Sequence, residues 1–125
     1  MRIGHFTLDE VNENLAKELA ARFHVQLERL SFCDELAVGS CDALLYEVDF
    51  LASGDRERLF ARLIKRSGDA PVAVHGFHLC SRETRSLRAG GIAVFRRLET
   101  KVFRRLVGAV REHAGSGLHL LTSSQ

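Results

Sequence analysis

Short apolar runs alternate with stretches of helical periodicity along the whole chain. "RIGHFTL" predicts a first strand, although Gly4 and His5 interrupt its apolar run. "TLDEVNENLAKELAARFH" predicts a helix. Thr7 and Glu10 have the spacing of a capping box, and Val11, Leu15, Leu19 and Phe23 recur every fourth residue. "VQLERLSF" predicts a second strand, and "CDELAVGS" leaves room for only a short second helix. "ALLYEVDFL" predicts the third strand. "GDRERLFARLIKRSGD" predicts a third helix with Leu59, Phe60, Leu63 and Ile64 on its apolar side. "PVAVHGFHL" is the fourth strand, "SRETRSLRAG" a short polar fourth helix ended by glycine, and "GIAVF" the fifth strand. "ETKVFRRLVGAVREHAG" predicts a fifth helix with Val102, Phe103, Leu106 and Val110 facing inward.

Strand and helix thus alternate five times with short connections. That order predicts βαβ units and a parallel sheet covered by helices on both faces. Strands buried on both faces read as continuous apolar runs, and "ALLY" and "PVAV" do so. The expected organisation is a single domain over residues 1–125, with a short C-terminal tail from about residue 115. That tail, "GSGLHLLTSSQ", carries Leu118, Leu120 and Leu121. In open α/β sheets, ligands bind at the carboxyl ends of the strands. Glu47 and Asp49, the two acids that close the third apolar run, therefore fall at the expected functional edge.

Composition adds little to this picture. A hydrophobic share of 46% and a charged share of 27% are ordinary for a globular domain. No apolar run approaches the roughly 20 residues of a membrane span, and "MRIGHFTLDE" lacks the apolar core of a signal peptide. A cytoplasmic location is expected. Cys33, Cys41 and Cys80 are odd in number and show no CxxC pairing, so they read as thiols in a reducing compartment.

Charge changes it more. The net charge of +2 hides a basic C-terminal third: residues 82–112 hold nine basic residues and three acidic ones. Arg82, Arg85 and Arg88 recur every third residue and share one side of the fourth helix. Arg96 and Arg97 end the fifth strand, and Lys101, Arg104, Arg105 and Arg111 line the last helix. Such a face suits an acidic protein partner or a second copy of the chain. Nucleic acid is the alternative, disfavoured by the near-neutral total and the lack of interleaved aromatic residues.

The order of these elements, with "CDALLYEVDFLASGD", "APVAVHGF" and "RAGGIAVFRRLE", resembles the CheY-like receiver domain of bacterial response regulators over nearly the whole chain. The resemblance implies a flavodoxin-like (βα)5 fold, a three-layer sandwich with a parallel five-stranded sheet in the order 2-1-3-4-5. It also implies a phosphorylation site. In that family two acids after the first strand hold Mg²⁺, and an Asp at the end of the third strand accepts the phosphoryl group. A Ser or Thr after the fourth strand and a Lys after the fifth contact the phosphoryl oxygens. Aligned on these motifs, Asp42 falls on the family's structural acid, and the acceptor falls on Glu47. The acidic pair falls on Thr7 and Leu8, with Asp9 and Glu10 slightly late. The hydroxyl position falls on Gly76 and the Lys on Arg97.

The resemblance therefore implies a degenerate receiver: a protein-interaction module of bacterial signal transduction without phosphotransfer, not an enzyme, with no cofactor. Its partner would bind across the fourth helix, fifth strand and fifth helix. Glu47, one methylene longer than Asp, is expected either to point to solvent or to pair with Arg97 and hold the fifth strand in one state. An atypical phospho-accepting receiver using Asp49 or Asp9 with a metal is the alternative, with a small nucleic-acid-binding regulator using the Arg face behind it. "HGFHLC" offers His75, His78 and Cys80 as metal-ligand types, but His75 and His78 would point to opposite faces of a strand, so no metal site is expected.

Overall fold

The computed structural model describes residues 1–31 and 37–123. Five strands form one sheet: β1 (Arg2–Phe6), β2 (Gln26–Leu30), β3 (Ala43–Glu47), β4 (Val72–His75) and β5 (Ala93–Phe95). All neighbours are parallel, in the order β2-β1-β3-β4-β5. The predicted flavodoxin-like topology is thus the observed one. Four α-helices are described: α1 (Glu10–Arg22), α2 (Ser53–Lys65), α3 (Ser81–Ala89) and α4 (Thr100–Ser123). A 3-10 turn at Ala37–Ser40 stands in the segment expected to hold the short second helix. The rest of that segment, with Cys33, lies outside the described residues, as does Phe32 of the predicted second strand. The receiver-like fourth and fifth helices of the sequence reading are α3 and α4.

Alternation along the strands divides the core in two. Ile3, Ala43, Leu45 and Ala73 point to one face, where Ala16, Leu19 and Ala20 of α1 and Val102, Phe103 and Leu106 of α4 cover them. Phe6, Leu44, Tyr46, Val72 and Val74 point to the other, under Leu59, Phe60 and Leu63 of α2 and Leu87 of α3. The interruption in β1 now has a cause. A Cβ on Gly4 would stand 2.6 Å from Leu30 Cδ1 and 3.0 Å from Cys41 Sγ, so the strand carries no side chain there. His5 turns to the opposite face and is fully buried.

Helix α1 departs from its expected details. Val11 is 74% exposed and Leu15 lies at the surface, while Ala16, Leu19 and Ala20 are buried. Strict four-residue spacing drifts about 40° around the helix at each step, because a turn takes 3.6 residues. The N-cap is Asp9, whose carboxylate accepts from the Val11 N–H at 2.9 Å, not Thr7. Thr7 stays with the strand because a carboxylate on β3 engages its hydroxyl. No glycine ends α1; His24 turns the chain in the left-handed region at φ 56. The predicted fourth strand is shorter than drawn, since Gly76–Leu79 form the loop that leads to α3. The backbone of α4 continues to Ser123, through the segment expected to be a tail. One glycine costs a helix only about 1 kcal/mol, so Gly115 and Gly117 do not by themselves stop it.

Candidate functional site

The carboxyl ends of β1, β3 and β4 meet at one edge of the sheet. Glu47 ends β3 and pairs in register with His75, which ends β4. On the other side of β3, His5 pairs in register with Leu45. Alternation then places His5, Glu47 and His75 on the same face, above Ile3, Leu45 and Ala73 and toward α1.

Glu47 is not turned to solvent. It is 3% exposed. Its Oε2 accepts from the Thr7 hydroxyl at 2.9 Å and from Asn12 Nδ2 at 2.8 Å. Burial pushes its carboxyl above the ordinary glutamate value; the Thr7 and Asn12 bonds hold it down, while the charges of Asp9 and Asp49 add to the rise. The extra methylene carries the oxygens sideways under the first turn of α1, toward the β1 edge. No Glu47–Arg97 pair forms. Arg97 lies past the end of β5, its side chain 77% exposed, and its Nε donates to Glu99 at 2.8 Å. The β4 strand stands between Glu47 and β5.

The positions expected to bind a phosphoryl group are filled differently. Thr7, where the family places its first acid, is buried and donates to Glu47. Leu8 is exposed. Asp9 caps α1 and its other oxygen meets Asn12 Nδ2 at 3.4 Å. Gly76 does more than lack a hydroxyl. A Cβ there would stand 2.9 Å from Val48 Cγ2 and 3.3 Å from both Asp49 Oδ1 and Leu79 Cγ, so the position has no room for a side chain. The two carboxylate oxygens of Asp49 accept from the backbone N–H groups of Phe77 and His78, at 2.8 and 2.9 Å. Asp49 clamps the loop after β4 to the loop after β3. Asp42 ties β3 to β1, accepting from the Arg2 N–H at 2.8 Å.

His75 does not meet His78 or Cys80. Cys80 caps α3 with its thiol, and Glu83 closes the reciprocal bond. His75 faces His5, with the two Nε2 atoms 3.1 Å apart and Glu47 Oε2 4.0 Å from His75 Nε2. Burial holds the His5 imidazole down to about 4; Glu13 opposes this and Arg29 adds to it. Burial, with the neighbouring His5, holds His75 down to about 3. Both rings are neutral at ordinary pH. The sequence reading missed His5, and its period-two offset from Thr7 was the available signal: a polar residue on the core face of a strand.

The basic residues divide. Arg85, Arg88, Arg96, Arg97 and Lys101 line one groove of about 940 Å³ between α3, β5 and α4, floored by Val94 and Phe95. Arg82 and Arg104 are exposed outside its lining, and Arg105 lines a second groove at the opposite end of the sheet, near Pro71 and Gly91. No helix among the described residues is long and apolar enough to cross a membrane.

No protein-family model and no curated protein sequence matches the chain. Solved structures do. A response regulator receiver protein from Pseudoalteromonas atlantica superposes with a TM-score of 0.68 at 13% identity, over 91% of this chain and 99% of that one. A two-component response regulator from Clostridium difficile gives 0.65 at 16%, over 90% and 96%. A CpaE2 pilus assembly protein from Sinorhizobium meliloti gives 0.61 at 17%, over 88% and 99%. Strand order, helix placement and near-complete coverage agree, and the chain has the fold of the response-regulator receiver domain.

Proposed function

We propose that this chain is a single-domain, receiver-like module of signal transduction that acts through protein contact without accepting a phosphoryl group. The observation that carries this reading is the state of Glu47. The carboxylate at the acceptor position is buried, turned toward β1 and held by Thr7 and Asn12. In-line attack on phosphorus needs a free, correctly aimed oxygen within about 3–3.5 Å of the reacting atom. Gly76, walled in by Val48, Asp49 and Leu79, supports the same reading, because no hydroxyl stands there to hold phosphoryl oxygens. The carboxylates of Asp9 and Asp49 are committed to a helix cap and a loop clamp. Incubation with acetyl phosphate and Mg²⁺ is expected to add no phosphoryl mass in intact-mass spectra. A clear phosphoprotein peak removes the proposal and favours an atypical receiver using Asp49 or Asp9.

The partner site proposed is the groove of Arg85, Arg88, Arg96, Arg97 and Lys101, facing an acidic protein surface or a second copy of the chain. Exposed cations around a half-buried apolar floor match the polar rim and apolar centre of an interface. Charge reversal with Arg88→Glu and Arg97→Glu together is expected to lose the proteins that the wild-type bait retains from a lysate of the source cells. Identical captured sets would eliminate this face. Binding to duplex DNA that falls steeply with salt would favour the nucleic-acid reading, because phosphate contacts release counterions.

A further inference from the structure

We propose that His5, Glu47 and His75 form a binding site for one divalent transition-metal ion of the zinc class. This inference is independent of the signalling role. The three ligand atoms come from three adjacent strands and lie within 4.8 Å of one another, all on buried residues. Ligands of a tetrahedral zinc, each bound at about 2.0–2.1 Å, are about 3.3 Å apart. The His5–His75 Nε2 separation of 3.1 Å, a hydrogen bond in the metal-free protein, is already close to this, and Glu47 closes on the pair from 4.0 Å at His75 Nε2 by moving its side chain. Two imidazoles and one carboxylate are the donor set of open zinc sites, and imidazole favours zinc-like ions over magnesium or calcium.

One further observation points to a cation. The centre holds a buried carboxylate, with no Lys or Arg ion pair to Glu47 among the described residues. Burying such a charge is costly, and a divalent ion offsets it. The Thr7 hydroxyl and the Asn12 amide both donate to Glu47 Oε2 and fix the direction of the carboxylate. A depression of about 500 Å³, lined by Leu8, Asp9, Asp49, Phe50 and His78, reaches Glu47. A bound ion would lock β1, β3 and β4 together at this edge of the sheet.

The test is titration of the chelator-stripped full chain with Co²⁺ as a visible probe, followed by Zn²⁺ displacement and calorimetry. The expected result is one saturable ion per chain, with tetrahedral Co²⁺ absorption that Zn²⁺ abolishes. His75→Gln is expected to abolish this binding with the circular dichroism spectrum unchanged. Asn12→Ala, in a partly exposed first helical turn, is expected to fold normally and weaken binding about 10–100-fold. His113→Ala, on the exposed side of α4, is expected to leave it intact. Absence of saturable one-to-one binding overturns the proposal, as does binding that survives both His75→Gln and Asn12→Ala.

Discussion

The metal-free protein, kept in chelator, will lose stability steeply as the pH falls from about 6.5 to about 4. His5 and His75 cause this. Their folded-state values lie near 4 and 3, both far below the ordinary histidine value of 6.5. Between those limits the unfolded chain binds protons that the folded chain refuses, so unfolding is favoured as acid is added. The cost is absent above the unfolded value and complete once the pH reaches the folded one. One pKa unit corresponds to about 1.4 kcal/mol, so His5 alone contributes on the order of 3 kcal/mol of lost stability at about pH 4. His75 adds in the same direction. That is a large share of the roughly 5–15 kcal/mol available to a domain. Glu47 works the other way. Its value is raised, chiefly by burial, so ionised Glu47 is a penalty at neutral pH that acid relieves. Two strongly shifted imidazoles outweigh one carboxyl that Thr7 and Asn12 partly hold down. Of the charged groups around them, Glu13 and Asp49 favour protonating the rings and Arg29 opposes it, but burial outranks all three. Urea midpoints measured across this pH range should fall, and His75→Gln should flatten the curve. A midpoint constant from neutral pH to about 4 would show that the rings are not held neutral by the fold.

Gly76→Thr, the substitution that would restore a hydroxyl at the receiver position, will destabilise the protein by about 1–3 kcal/mol, the usual cost of overpacking. The first added atom would already meet Val48 Cγ2 at 2.9 Å, and the hydroxyl and methyl come on top of it. Moving Asp49 away to make room breaks its clamp on Phe77 and His78. Gly76→Ala should cost less than the threonine. Gly54→Ala in α2 is the control, since nothing lies within 4 Å of a Cβ there. A wild-type denaturation midpoint for Gly76→Thr would mean that the pocket relaxes freely. Adding a hydroxyl at Gly76 therefore disturbs the packing of Val48, Asp49 and Leu79 together.

The topology was legible because two periods rarely mislead over long segments. "ALLY" and "PVAV" are apolar on both faces, as central parallel strands must be, and they are β3 and β4. The inward face of α4, with Val102, Phe103, Leu106 and Val110, also followed from spacing. Errors arose where one polar atom chose between partners. Thr7 had the sequence context of a helix cap, yet its hydroxyl donates to a carboxylate forty positions away and accepts only from the Asp9 N–H, short of the helix. Asp9 took the cap instead. Asp49 takes its donors from the backbone of the loop after β4. Local sequence carries no record of such choices, because both alternatives satisfy the same group.

What the sequence determined by itself was the alternation of strands and helices, with it a parallel sheet covered on both faces, and the place of Glu47 at the edge where ligands bind; the strand order was an implication of the receiver resemblance. What tertiary structure decided was what Glu47 does. Its direction depended on whether Thr7, Asn12, Arg97 or solvent received it, and the strand order settled that by placing β1 beside β3 and β4 between β3 and β5. The same order brought His5 to His75 across seventy residues of chain. Parallel sheets join strands remote in sequence, so a three-residue centre built on β1, β3 and β4 has no spacing for a linear reading to find.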